Sequence, residues 1–248
     1  PLNFVEEIEW IYKRFGIKDF IFCDETFTTN IKRIVNICEL ILEKNLPIKW
    51  TCMTRAGNLT KEVLKLMKRS GCYAIAIGIE SGDSRILKAI GKNIKLDDVR
   101  GVVSMAKGIG VKPIGFFILG LPHESPATLE RTLRFAKSLG LYFAQFSMLV
   151  PLPGTPVWDM MEDAKLIRCT AQNWNDYTRY DKAIVESDTL SADELTRYYH
   201  RILRSFYFDI DFIVKTLASV RSFNELGSYW NKGLGLVKML VSGDKQDK

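Results

Sequence analysis

Five stretches of this 248-residue chain end an apolar run on groups able to hold a ligand. IFCDETFT closes on Cys23, Asp24, Glu25 and Thr26, and WTCMTR closes on Arg55. YAIAIGIESGDSR closes on Glu80 and Ser81, GFFILGLPHES on Gly120, His123 and Glu124, and QFSMLVPLPGT on Pro151 and Pro153. Carboxylates, hydroxyls and one guanidinium at the ends of apolar strands make a polar rim suited to binding a small molecule. Any single acid in such a place serves as readily as a helix cap or a solvated loop residue. Agreement among five strand ends carries the reading.

The same residues argue against several other chemistries. Cys23 beside two acids resembles the corner of a metal site, but no second cysteine or histidine lies near it in sequence, so a buried thiol is the simpler expectation. His123 and His200 are the only histidines and stand far apart, which supports neither a hydrolytic triad nor a zinc centre. There is no GxGxxG and no phosphate-binding loop, and neither CxxC nor CxxxCxxC occurs. No residue is therefore assigned a catalytic role, and no metal ligand is assigned.

The elements that must position the rim are legible as a repeat of helix, glycine and strand. FVEEIEWIYKRFG leads into IKDFIFC, TKEVLKLMKRSG into CYAIAIGIE, LDDVRGVVSMAKGIG into VKPIGFFILG, and SPATLERTLRFAKSLG into LYFAQFSMLV. Gly16, Gly71, Gly110 and Gly140 stand where a left-handed residue ends each helix. Asn3 with Glu6 reads as a capping box, Ser125-Pro126 as a cap followed by proline at the first helical position, and Ser191 with Glu194 as another box. A further helix over 31–44 leads through Asn45 and Pro47 into IKWTCM.

Five strands result, with near-continuous apolar runs expected for parallel strands covered on both faces. Alternating β and α units imply an open doubly wound sheet or a barrel. The chain begins on a helix, so the expected array of strand-helix units lacks its first strand. Beyond about residue 150 a proline-rich turn and an irregular QNWNDYTRYDKAIVES precede a helical appendage over 180–248. Its aromatics, Tyr198, Tyr199, Phe206, Tyr207, Phe208 and Phe212, read as core packing rather than a binding surface.

Composition narrows the partners. The formal charge of +6 is too diffuse to require nucleic acid, and Arg197, Arg201 and Arg204 offer only a small basic face. The opening PLNFVEEIEW lacks the basic-then-apolar pattern of a secretory signal, and LGLVKMLV is too short to span a membrane. Five widely spaced cysteines, an odd number, fit reduced thiols in the cytoplasm.

Taken in order, IFCDETFT, WTCMTR, IGIESGDSRILKAIGKN, GFFILGLPHES and QFSMLVPLPGTPVW resemble the radical S-adenosylmethionine (SAM) superfamily, and closely its cobalamin-binding branch. SADELTRYYHRILRSFYF resembles that branch's C-terminal extension. The resemblance implies an α/β fold, a parallel partial (β/α)6 TIM-like barrel lacking its first strand. Residues 1–179 would be the core carrying strands two to six, and 180–248 a C-terminal helical extension. It also implies S-adenosylmethionine, a four-iron four-sulfur cluster, an electron donor of ferredoxin or flavodoxin type, and a small-molecule or lipid-like substrate.

By position in the family, Asp24, Glu25 and Thr26 fall at the methionine amino group, although they replace the more usual Gly-Gly-Glu type of loop. Arg55 and Lys92 fall near its carboxylate. Glu80, with Ser81 beside it, falls at the ribose hydroxyls, Ile118 and Gly120 at the adenine, and Gln145 at the same mouth. The cluster loop and any cobalamin domain are expected upstream of Pro1. On this reading the chain is a fragment, unable to hold the cluster and inactive alone, of an enzyme that cleaves SAM to a 5′-deoxyadenosyl radical for methyl transfer or related C–H chemistry. The alternatives are a non-catalytic barrel remnant and an RNA-modifying relative.

Overall fold

The computed structural model describes residues 1–57, 59–164, 167–187 and 189–219. All five expected strands form: β1 (Asp19–Phe22), β2 (Lys49–Thr54), β3 (Cys72–Glu80), β4 (Lys112–Leu119) and β5 (Phe143–Met148). They make one sheet in the order β1-β2-β3-β4-β5, and the pairings β1 with β2, β2 with β3 and β3 with β4 are all parallel. Sequential order with helical crossovers is what right-handed βα units produce. Those crossovers are α2 (Ile31–Glu43), α3 (Lys61–Arg69), the short α4 (Ser84–Ala89) followed by α5 (Leu96–Ile109), and α6 (Pro126–Leu139), while α1 (Leu2–Phe15) precedes β1.

The helix ends are largely where the sequence puts them. Gly16, Gly110 and Gly140 are left-handed C-caps, and Gly71, at φ 104°, follows the cap Ser70. Ser125 caps α6 with Pro126 behind it, its amide donating to Thr128 Oγ1 at 2.8 Å. Ser191 and Glu194 form the expected box at the start of α8 (Ala192–Tyr207). Asn3 does not cap α1. The helix starts earlier, with the Pro1 carbonyl accepting from the Val5 amide at 3.1 Å, so Asn3 is already helical.

Burial corrects one expectation. In β2, β4 and β5 buried residues alternate with half-exposed or exposed ones, so one face is fully covered and the other is not. Only β3 is buried on both faces over most of its length. Apolar runs therefore mark a sheet with an accessible second face, along which lie Thr51, Met53, Ile114, Phe116, Ile118 and Gln145.

The residues divide into two compact units. The first comprises Pro1–Glu80, Lys92–Phe117 and Leu141–Gln145. Its core centres on Trp50, fully buried, whose indole N–H donates to the Ser70 carbonyl at 2.9 Å. Phe22 stacks on that indole at 4.9 Å and Phe27 meets it edge-on at 5.7 Å. Each such ring contributes roughly 1.5–3 kcal/mol by leaving water.

The second unit comprises Ser81–Gly91, Ile118–Gly140 and Phe146 onward. Here α6 packs on α8, and Phe146 meets Phe206 at 5.6 Å. Tyr199 and Phe206 are core residues, as expected, while Phe208 at 53% exposure is not. This unit also holds α7 (Pro156–Ala164), α9 (Ile210–Ser219) and an unexpected antiparallel pair, β6 (Arg168–Cys169) with β7 (Val185–Glu186). Two-residue strands lie below the length at which periodicity is detectable. The part of the appendage beyond residue 219 lies outside the described residues.

Candidate functional site

In the first unit the site is organised by the end of β3. Gly78 pairs with Phe116 and Glu80 with Phe117, so one residue of β3 is skipped and the strand bulges. A bulge re-aims the side chain that follows it. Glu80 then adopts φ 68°, in the left-handed region that costs a non-glycine residue about 1–2 kcal/mol.

The re-aimed carboxylate meets Lys92, whose Nζ donates to Glu80 Oε1 at 2.7 Å. Both side chains are largely buried, 17% and 25% exposed. Gly78 makes room for them: a Cβ there would lie 2.8 Å from Glu80 Oε1 and 3.1 Å from Lys92 Nζ. Lys92 comes from the segment after α4, which ends at Ala89, so a loop and not a helix delivers it.

At the end of β1, Cys23, Asp24 and Glu25 are exposed and Thr26 is half-buried. Cys23 is thus not the buried thiol expected, because β1 stops at Phe22 and the chain turns outward. Asp24 faces Arg33 of α2 at 3.6 Å, and that guanidinium lies over the rings of Phe4 and Phe27 at 5.5 and 5.2 Å. The sequence offered no signal for Arg33, since the pairing depends on how the loop after β1 turns back on the first turn of α2. Thr28, fully buried, shares a 2.7 Å hydrogen bond with Thr54 at the end of β2. Its hydroxyl also accepts from the Arg55 amide at 3.5 Å, which ties the loop after β1 to the residue that bears the guanidinium. The Arg55 side chain is exposed and makes no ion pair among the described residues. Gln145 lies mid-strand on the half-exposed face of β5, three residues before its end.

The second unit holds Ser81, Ile118 and Gly120. Ser81 is fully buried, and its hydroxyl is committed to Thr132 Oγ1 at 3.2 Å and to the Asp83 amide at 3.2 Å. Asp83 caps α4 and pairs with Arg85 and Arg131. Burial pushes the Asp83 carboxyl up, but the hydrogen bonds from Arg85 and Arg131 outweigh it and hold the group at about 2. Ile118 lies on the half-exposed face of β4.

Gly120 has φ 89°, and a Cβ there would meet Leu195 Cδ2 at 2.5 Å and Val185 Cγ2 at 3.1 Å. Its lack of a side chain serves packing by α8. Its amide and that of Leu121 both donate to Glu124 Oε2, at 2.6 and 3.1 Å. Glu124 is 1% exposed, and its other oxygen has no hydrogen-bond partner among the described residues. Burial pushes this carboxyl up to about 8, against the opposing amides. The sequence placed Glu124 at a strand end; its engagement with the turn emerges only from the fold.

An open groove of about 1010 Å³ in the second unit is lined by Lys137, Arg197, His200, Arg201 and Arg204 among others. Acids offset it, Glu130 meeting Arg201 at 2.5 Å and Asp209 meeting Lys137 at 2.9 Å. None of the residues expected to bind a ligand lines it. Among the described residues no group of three His, Cys, Asp or Glu side chains could hold a metal ion, and no helix is long and apolar enough to cross a membrane.

Residues 1–136 match the model of the Radical SAM superfamily. The uncharacterized methyltransferase PH0819 of Pyrococcus horikoshii is 33% identical over 213 residues, 86% of this chain and 46% of that protein. An anaerobic magnesium-protoporphyrin IX monomethyl ester cyclase of Cereibacter sphaeroides is 28% identical, covering 84% of this chain and 34% of its own length. The chain thus spans less than half the length of these two relatives. Among solved structures, the radical S-adenosylmethionine methyltransferase TsrM of Kitasatospora setae, with cobalamin and a [4Fe-4S] cluster bound, superposes with a TM-score of 0.69. That match has 15% identity and covers 98% of this chain and 54% of that one. The likeness shows the fold, a partial TIM-like barrel of parallel strands with C-terminal helices. A family match over more than half its residues, on strand ends bearing the expected groups, establishes that this chain belongs to the radical SAM superfamily.

Proposed function

We propose that this chain is the S-adenosylmethionine-binding part of an enzyme that cleaves S-adenosylmethionine reductively to a 5′-deoxyadenosyl radical, in the service of cobalamin-dependent methyl transfer or related C–H chemistry. The observation that carries the reading is Glu80. It is a carboxylate held in a left-handed conformation at the end of a barrel strand, two residues after a glycine whose missing Cβ leaves the space that the carboxylate and Lys92 fill. Strain of this kind persists where the surroundings over-determine it, and it concentrates at ligand clamps.

The residues of the first unit fit the ligand. Glu80 supplies acceptors for a ribose diol, Arg55 a guanidinium without an ion pair among the described residues for the methionine carboxylate, and Asp24 with Glu25 and Thr26 acceptors for its ammonium. Arg33 sets the orientation of Asp24. A four-iron four-sulfur cluster is not fitted by the described residues, so its thiolates belong to another part of the enzyme. When reduced, such a cluster supplies the electron for cleavage, and a ferredoxin- or flavodoxin-type protein is the proposed donor. Cobalamin is proposed on the likeness to a methyltransferase that holds it. The substrate is a small or lipid-like molecule, and the proposed division is a core of 1–179 and a C-terminal extension of 180–248.

Titration calorimetry of this chain with S-adenosylmethionine tests the reading. Binding weakened about tenfold or more by Glu80→Gln and by Arg55→Met is the expected result. Absence of binding, or indifference to both substitutions, overturns it. Anaerobic reconstitution of the same chain with iron and sulfide is expected to leave no stable thiolate-to-iron absorbance, and such a band would refute the assignment of the cluster to another segment.

A further inference from the structure

We propose that Lys92 is a positioning residue for Glu80 and is not the partner of the ligand's carboxylate. The inference rests on the reading of this site as one for S-adenosylmethionine, and it reassigns one of its residues.

The geometry leaves Lys92 little freedom to act otherwise. Its ammonium donates to Glu80 Oε1 at 2.7 Å, a charge-assisted bond between two side chains that are three-quarters or more buried. Moving Lys92 to a ligand carboxylate would strand the Glu80 charge in a largely buried place, the arrangement most costly to an ion pair. Glu80 also needs a restraint, because its backbone sits in a conformation its side chain disfavours. Lys92 provides one from twelve residues away.

Gly78 completes the seat. Any side chain there would press on both Oε1 and Nζ. Oε2 of Glu80 makes no hydrogen bond among the described residues, so it is the oxygen left for a diol, while Oε1 is held by the lysine. Arg55 is then the cation that remains for the ligand's carboxylate, being exposed and without an ion pair among the described residues. Glu80, Lys92 and Gly78 form one device for a vicinal diol, and Arg55 works separately.

Two ligands separate the roles. 5′-Deoxyadenosine carries the ribose diol but neither carboxylate nor ammonium, and 2′,5′-dideoxyadenosine lacks the diol. Both are titrated into this chain by calorimetry beside S-adenosylmethionine. Lys92→Met is expected to weaken 5′-deoxyadenosine by about tenfold, as Glu80→Gln does, and the double variant should be no weaker than either single one. Lys92→Arg should recover most of the loss, and 2′,5′-dideoxyadenosine should be indifferent to all of them. Gly78→Ala removes neither charged group and should weaken 5′-deoxyadenosine too, which keeps the test open if Lys92→Met does not fold.

Loss of S-adenosylmethionine binding by Lys92→Met with 5′-deoxyadenosine unchanged would return Lys92 to the carboxylate and overturn the proposal. Additive effects of the two substitutions would overturn it as well. Failure of the unaltered chain to bind either nucleoside overturns the site reading itself, and this assignment with it.

Discussion

The hydroxyls of Thr28 and Thr54 meet at 2.7 Å in the buried core of the first unit, one from the turn after β1 and the other from the last residue of β2. Between them they join the two loops that present Asp24 and Arg55. Because each is nearly inaccessible, removing one leaves the other with only a long contact to the Arg55 backbone, at 3.4 or 3.5 Å. Thr54→Val is expected to cost about 1–2 kcal/mol, while Thr28→Val with Thr54→Val should cost less than the sum of the single changes. Urea titrations of the four proteins measure the coupling; strict additivity would show that the two hydroxyls act independently.

Asp83 is held at about 2, below its ordinary 3.8, by Arg85 and Arg131. A lowered carboxyl adds stability that is complete above the unfolded value, about 3.8, and is lost as pH falls through about 2. Asp83→Asn keeps the helix cap but gives up the charge, and a loss of about 1–2 kcal/mol is expected at pH 7. The gap between the two proteins should narrow below pH 4. A gap that stays constant from pH 7 to 3 would show that the carboxylate is not what the arginines stabilise.

Glu124 behaves in the opposite sense. Burial raises its carboxyl from 4.5 to about 8, so the folded chain keeps a proton that the unfolded chain has released. Its contribution is complete below about 4.5 and is lost as pH rises through about 8. Stability should therefore fall between pH 5 and 8 with a slope of at most about 1.4 kcal/mol per unit, and Glu124→Gln should remove that fall. Denaturant unfolding at pH 5, 6.5 and 8 compares the two, and parallel curves would contradict the assignment.

Much of this architecture was readable residue by residue. Gly16, Gly110 and Gly140 end helices because a left-handed residue without a Cβ is cheap only there. Ser125-Pro126 and Ser191 with Glu194 start helices because their donors and acceptors lie within one turn. Asn3 failed the same test for a local reason: the helix found an earlier start at Pro1. Apolar runs do not distinguish singly from doubly covered strands, because several half-exposed positions are occupied by apolar side chains.

The sequence by itself determined the order of strands and helices and the presence of Glu80, Arg55 and Asp24 at strand ends. Those features follow from preferences that act over a few residues. Only the tertiary structure decided what each group meets: Glu80 with Lys92 across a bulge, Asp24 with Arg33, Ser81 with Thr132, Glu124 with the amides of its own turn. A one-residue bulge turns a side chain from one face of a strand to the other, and burial decides whether a carboxyl keeps its charge. Neither is written in spacing, because both depend on which distant chain segment fills the space.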